Sequence, residues 1–145
     1  MLLDQQNVFT DGTLATGASN TDVIDMGAAT NLGALALGRG HGGEGAEIVT
    51  NCLGPKGNAD NTLAYNLVGA DDAAFTVNKI TVLAVAAYNV TIKTNNHARV
   101  PHHTPKRYFR LENTVAGTTA SLPGTKQFLH TTANERPLAG GPSVI

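Results

Sequence analysis

Apolar and polar positions alternate most cleanly from Tyr108 onward. Tyr108, Arg110, Glu112 and Thr114 share one parity, and Phe109, Leu111 and Val115 share the other. A side-chain period of two belongs to a strand with one buried and one solvated face. The stretch therefore predicts a half-buried strand with a polar outer side. Arg107 falls on the inward parity, which makes it a strand-end structural residue. Upstream, Pro101 and Pro105 bracket His102 and His103. Proline fixes φ and steers the preceding residue away from helix, so this approach is an extended elbow.

The rest of the chain reads as short strands between turn clusters. Residues 1–9 put apolar groups at both ends of a polar middle, which suits a first strand or an arm lying on a neighbour. Asp11-Gly12 signals a turn, residues 14–18 a weak strand, and residues 23–26 a short strand closed by Gly27. Residues 46–53 and 62–68 read as strands, with turn chemistry at 54–61 and 69–72. Residues 75–87 form the longest apolar run, and Val77, Ile80, Val82 and Val85 favour strand over helix. Tyr88, Val90 and Ile92 then alternate on one face, with a turn at Asn95-Asn96. Pro123-Gly124 reads as another turn, and residues 125–132 as the last strand, centred on Phe128.

Two segments resist a strand reading. Residues 38–45, which include Arg39 and His41, form a glycine-rich loop without the Gly-Lys-Ser/Thr ending of a phosphate-binding loop. Residues 134–145 hold Pro137, Gly140, Gly141 and Pro142, and so form an irregular tail that ends in apolar Val144 and Ile145. Fully extended, a tail of about a dozen residues spans about 40 Å. No amphipathic helix stands out. The pattern predicts an all-β sandwich or barrel in a single domain, residues 1–133, followed by the extended tail.

Composition narrows the picture. A chain of 145 residues suits one domain with a real core. Charged residues make up only 14% and aromatics 5%, with no Trp, so the core rests on Val, Ile, Leu and Ala. A low-charge, Thr/Asn-rich surface is typical of a chain that works inside an assembly. The net charge of −1 argues against a dedicated nucleic-acid binder. The charge is uneven, however: residues 1–75 carry nine acids and two bases, and residues 76–145 eight bases and two acids. Either a sandwich intermixes the halves and cancels this, or the surface is dipolar and orients the molecule on a charged partner. Cys52 is alone, which leaves no intrachain disulfide and suggests a small buried hydrophobe. No signal peptide or membrane-length apolar run is visible, so the expectation is a chain made in a cytoplasm, with no membrane partner.

Candidate chemistry is sparse. His102 and His103 are adjacent, so on a strand they point to opposite faces and do not chelate together. His97 could meet one of them, or His41 and Glu44, only by accident of fold. No metal or cofactor is expected. Asp71-Asp72 reads as a solvated turn. Ser19, Ser121 and Ser143 lack both a Gly-x-Ser-x-Gly setting and a base partner, which argues against an enzyme. Lys93, Arg99, Lys106, Arg107 and Arg110 interleave with Tyr108 and Phe109 as a single-stranded nucleic-acid platform would. The inward parity of Phe109 leaves one aromatic, so an acidic protein surface fits these residues better.

Three pieces carry a family resemblance: the opening Met1-Leu2-Leu3-Asp4-Gln5, the segment 21–27 (TDVIDMG), and Pro101 followed by 107–111 (RYFRL) with a Thr-Val end. In order and spacing the chain resembles the capsid cement, or decoration, proteins of tailed bacteriophages, in the family first noted in a Bordetella podovirus. The resemblance implies a jelly-roll-like antiparallel β-sandwich on the outer surface of a mature virion head. It implies a chain that clamps neighbouring major capsid protein subunits, works as a small homo-oligomer with a dimer favoured over a trimer, and is made in the bacterial host. On that reading, contacts fall to Leu2 and Leu3 in the arm, to Arg39 and His41 in the glycine-rich loop, and to His102, His103, Lys106 and outward-facing Arg110 around the elbow. Arg136, Leu138, Val144 and Ile145 complete the set in the tail. The alternative is a carbohydrate- or host-surface-binding β-sandwich, which would show exposed aromatics in a shallow groove.

Overall fold

The computed structural model describes residues 8–25, 46–54, 60–100, 106–118 and 121–131. Within them the chain is all-β. Its strands are β1 (Val8–Leu14), β2 (Gly17–Asn20), β3 (Ile24–Asp25), β4 (Ala46–Cys52), β5 (Thr62–Ala70), β6 (Ile80–Asn89), β7 (Asn95–Arg99), β8 (Tyr108–Ala116) and β9 (Leu122–Thr131). They form two antiparallel sheets. One runs β1-β9-β4-β7; the other runs β2-β8-β5-β6, with β3 also paired to β8.

The alternation that opened the sequence reading is the geometry of β8. Phe109, Leu111, Asn113 and Val115 are buried and the residues between them are not. Opposite them on β5, Leu63, Tyr65 and Leu67 point the same way, with Leu67 against Leu111 and Leu63 against Val115. The facing sheet contributes Phe9, Ile48, Cys52, Leu122 and Leu129. Cys52 is a small core residue, as its apolar setting predicts.

Two polar bridges cross this apolar interior. Asn113 and Gln127 exchange amide hydrogen bonds of 2.8 and 2.9 Å between β8 and β9. The Asn96 amide on β7 donates to the Tyr65 hydroxyl on β5 at 2.8 Å. A buried polar group costs free energy unless it is paired, so these bridges penalise any sliding of one sheet over the other.

A second, smaller cluster lies on the outer side of the β8/β5 sheet. Val68 and Ala70 are covered by Phe75 and flanked by Tyr108. The β5–β6 connection folds back to place that ring. Its Asp72 carboxylate accepts from Thr76 N, Thr76 Oγ1 and Val77 N at 2.8, 2.6 and 2.8 Å. Phe75 and Asn78 take φ of 59° and 49°, left-handed values that are uncommon without glycine and strained for an aromatic residue.

Several boundaries differ from the sequence reading. Of residues 1–9 only Val8 and Phe9 are described, both in β1, and Asp11-Gly12 is no turn: it lies inside β1, where Gly12 takes φ 154° beside a register shift. The 14–18 strand is split between the end of β1 and the start of β2. The apolar run from 75 starts as loop and becomes strand only at Ile80. Val90 and Ile92 do not share a face, because they sit in a turn where Val90 is buried and Ile92 is 86% exposed. Asn95-Asn96 opens β7, where Asn96 serves the core as a donor. Pro123-Gly124 lies inside β9, which runs to Thr131, the last described residue. There Gly124 takes φ +63°, and a Cβ at this position would lie 2.9 Å from Gly54 N, which leaves no room for a side chain.

Candidate interaction end of the sandwich

Strand registers decide what lies near what. Val8 at the start of β1 pairs with Phe128 near the end of β9. Ala46 at the start of β4 pairs with Thr131 at the end of β9, and Glu47 pairs with Arg99 at the end of β7. In the other sheet, Tyr108 at the start of β8 pairs with Asp25 at the end of β3 and with Ala70 at the end of β5. The Asn113–Gln127 and Asn96–Tyr65 bridges hold the two sheets with these ends together. The described strand ends that flank residues 1–7, 26–45, 101–105 and 132–145 therefore all lie at the same end of the sandwich. Leu2, Leu3, Arg39, His41, His102, His103, Arg136, Leu138, Val144 and Ile145 fall within those segments and outside the described residues.

The two remaining candidates, Lys106 and Arg110, are engaged within the chain. Lys106 Nζ bonds Asp71 Oδ1 at 3.1 Å, with its side chain mostly buried. Arg110 stacks over the Phe75 ring, its guanidinium carbon 4.3 Å from the centroid, and bonds Glu112 at 2.9 Å. Lys79 reaches the same Glu112 oxygen at 2.7 Å. The Lys79 hydrogen bond holds the Glu112 pKa down, helped by Arg110 and opposed by partial burial. The outward face of Arg110 is thus part of the cap on Val68 and Ala70.

Arg107 is exposed instead of inward, yet it holds the strand end. Its Nε and Nη2 donate to both oxygens of Asp25 at 2.9 and 3.1 Å. This fork closes the junction of β3 and β8, where Thr21 N donates to the Leu111 carbonyl and Leu111 N donates to Thr21 Oγ1. Two of the segments that carry the family resemblance, one around Thr21 to Asp25 and one around Arg107 to Leu111, are therefore a single knitted unit.

A three-residue cluster on the other sheet was not legible in advance. Glu47 Oε1 lies 3.1 Å from His97 Nδ1 and 3.4 Å from His130 Nδ1. A carboxylate only accepts, so each bond needs the proton on Nδ1. Partial burial raises the Glu47 pKa, but the hydrogen bonds and charge of the two histidines outweigh it and the net shift is downward. Only the β4–β7 and β4–β9 registers bring these side chains together. Among the described residues, no three His, Cys, Asp or Glu side chains are placed to hold a metal ion.

Part of the uneven charge along the chain is neutralised by pairing. Asp25 with Arg107, Asp71 with Lys106 and Asp11 with Lys126 each join an acid from the first half to a base from the second. Aromatic exposure is also settled, because all four Phe and three Tyr are described. Phe9, Phe75, Phe109, Phe128 and Tyr65 are buried, and Tyr88 and Tyr108 are half-buried. An open depression of about 300 Å³ runs along β1 and the β2–β3 connection, lined by Phe9, Asp11, Ser19, Thr21 and Asp22 among others. It offers no activated nucleophile. No helix of the described residues is long and apolar enough to cross a membrane.

The fold defines an all-β, two-sheet domain whose distinctive chemistry is ion pairing around one end. Comparison with protein-family models and with curated protein sequences finds no match.

Proposed function

We propose that the chain is a structural decoration protein of a tailed-phage head, binding the outer surface of the mature capsid and clamping adjacent major capsid protein subunits. The observation that carries this reading is that the described strand ends flanking residues 1–7, 26–45, 101–105 and 132–145 all lie at one end of the sandwich. A clamp needs a rigid body and several reaching segments on one side, and no reaction centre. The knitted β3–β8 unit supports it too, since the matching residues there build a scaffold. The strand order supports the jelly-roll expectation. With β2 and β3 counted as one interrupted strand, four strands in each sheet are joined mostly by connections that cross between sheets.

Decoration of this kind acts by mass action. A ligand that binds only the assembled lattice stabilises it by RT ln(1 + [L]/Kd) at each site, and a shell presents many sites. The protein works as a homo-oligomer, a dimer before a trimer, and engages neither nucleic acid nor membrane. The glycan-binding alternative has less support, because the aromatic rings are buried or half-buried.

Deleting residues 134–145 tests the reading. The truncated domain is expected to fold with unchanged circular dichroism and to lose most of its co-sedimentation with purified expanded heads. Unchanged occupancy, or no binding of the full chain to any head, would contradict it.

A further inference from the structure

We infer that the free edge of β6 is a self-pairing surface, where two copies of this chain join their β8/β5 sheets antiparallel about a two-fold axis. The inference deepens the homo-oligomer part of the proposed function and rests on no capsid contact.

A sheet has two edges, and an edge strand presents unpaired N–H and C=O groups that template another strand. Three of the four edges here are blunted. β2 has four residues. β7 has five and carries His97 and Arg99. β1 contains Asp11 and Gly12 and two register shifts. Among the described residues β6 alone is a long and uncharged edge: ten residues, Ile80-Thr-Val-Leu-Ala-Val-Ala-Ala-Tyr-Asn89, bonded there to β5 on one side only. Two polar groups that flank β6 already have partners within the chain. Lys79 is tied to Glu112, and the Asn89 side chain accepts from Thr91 N and Ile92 N. Two register shifts against β5 bend β6 but put no charge on its free side.

The distribution of exposed apolar groups selects a second copy as the occupant. Of the five large exposed hydrophobics among the described residues, Val77 (48%) lies just before β6, Ile80 (42%) at its start and Ile92 (86%) just past its end. An antiparallel two-fold lays the start of one β6 beside the end of the other, so each exposed end meets its counterpart. Directly opposed residues share a face. A two-fold centred on Ala84 sets Ala84 against Ala84 and Leu83 against Val85, with small side chains outside and no like charges in contact. Ala84 pairs with Asn66 on the outer face of the sheet, away from the core. The described residues of each chain present one such edge, so the contact is isologous and closes at two copies. Ten residues at about 3.3 Å each give a seam of about 33 Å, which places the interface at the small, weak end of stable contacts.

The test uses the purified full chain in sedimentation velocity across a concentration series. The wild type is expected to pass from monomer to dimer and no further. Ala84→Lys and Ala84→Glu, both at an exposed position, are each expected to weaken dimerisation at least tenfold, and an equal mixture of the two is expected to restore it as a heterodimer. A wild type that stays monomeric, a dimer indifferent to both variants, or a ladder of larger species would overturn the inference. A chain that dimerises through β6 yet ignores phage heads overturns the decoration reading and leaves this one standing; a chain that binds heads as a monomer does the reverse.

Discussion

β6 and β8 are nearly equal in length, ten and nine residues, and they belong to the same sheet. By composition β6 is the more apolar, with eight of its ten residues Ile, Val, Leu, Ala or Tyr. Yet β8 builds the core and β6 is the least covered of the long strands. β8 is bonded on both sides, by β2 and β3 along one edge and by β5 along the other, and every second side chain is buried. β6 is bonded only to β5, and its residues are exposed or half-buried throughout. The difference teaches that alternation, and not apolar content, marks a strand with a fully buried inner face; β6 packs Val82, Leu83, Val85 and Tyr88 against the core only half-buried. An uninterrupted apolar run at an edge is a surface kept free of charge, which is what an assembly contact requires.

The contrast is sharpest in core truncations. Leu111→Ala on β8 opens a cavity beside Leu67 and is expected to cost about 3 kcal/mol in urea unfolding, whereas Leu83→Ala on β6 is expected to cost about 1 kcal/mol. Equal losses would break the comparison. Next comes Asn113→Ala, which strands the Gln127 amide between the sheets. Leaving a buried partner unpaired costs about 2 kcal/mol, and Asn113→Ala with Gln127→Leu together should recover part of that loss.

Acid sensitivity belongs to the outer face of β8. Glu112 is held below its ordinary pKa by Lys79 first and by Arg110, against partial burial. A carboxylate with a depressed folded pKa contributes stability above its unfolded value and loses it as pH falls through the folded one. Glu112→Gln is therefore expected to lower stability by about 0.5–1 kcal/mol at neutral pH and to flatten the decline on acidification below about pH 4.5. The smallest effect belongs to β6. Ala84→Lys and Ile92→Ser sit at exposed positions and are expected to shift monomer stability by less than about 0.5 kcal/mol, while dimerisation suffers.

The legible and illegible parts of this fold divide along the same line. The parity of Phe109, Leu111 and Val115 was readable because one face of β8 is core and the other is not. The loop start of the apolar run at Phe75 was not, because its ring is recruited to an outer-face cluster by Asp72 hydrogen bonds and a left-handed backbone. Asn95-Asn96 looks like a turn until Tyr65, from another strand, supplies a partner for the Asn96 amide. Pro123-Gly124 carries turn chemistry, but the close pass of Gly54 asks for a glycine inside the strand. Among candidate contact residues, Arg110 has the outward parity expected of it, and only the folded loop reveals that Phe75 and Glu112 occupy its guanidinium. The Glu47, His97 and His130 cluster depends on registers between residues 50 and 83 positions apart, which no local pattern records.

Amide hydrogen exchange, followed at low and high protein concentration, puts the contrast between the two strands to its most direct test. The account predicts that β8 exchanges slowly and identically at both concentrations, while the β6 amides not bonded to β5 exchange fast when dilute and become protected when concentrated. Exchange in β6 that is independent of concentration would contradict it.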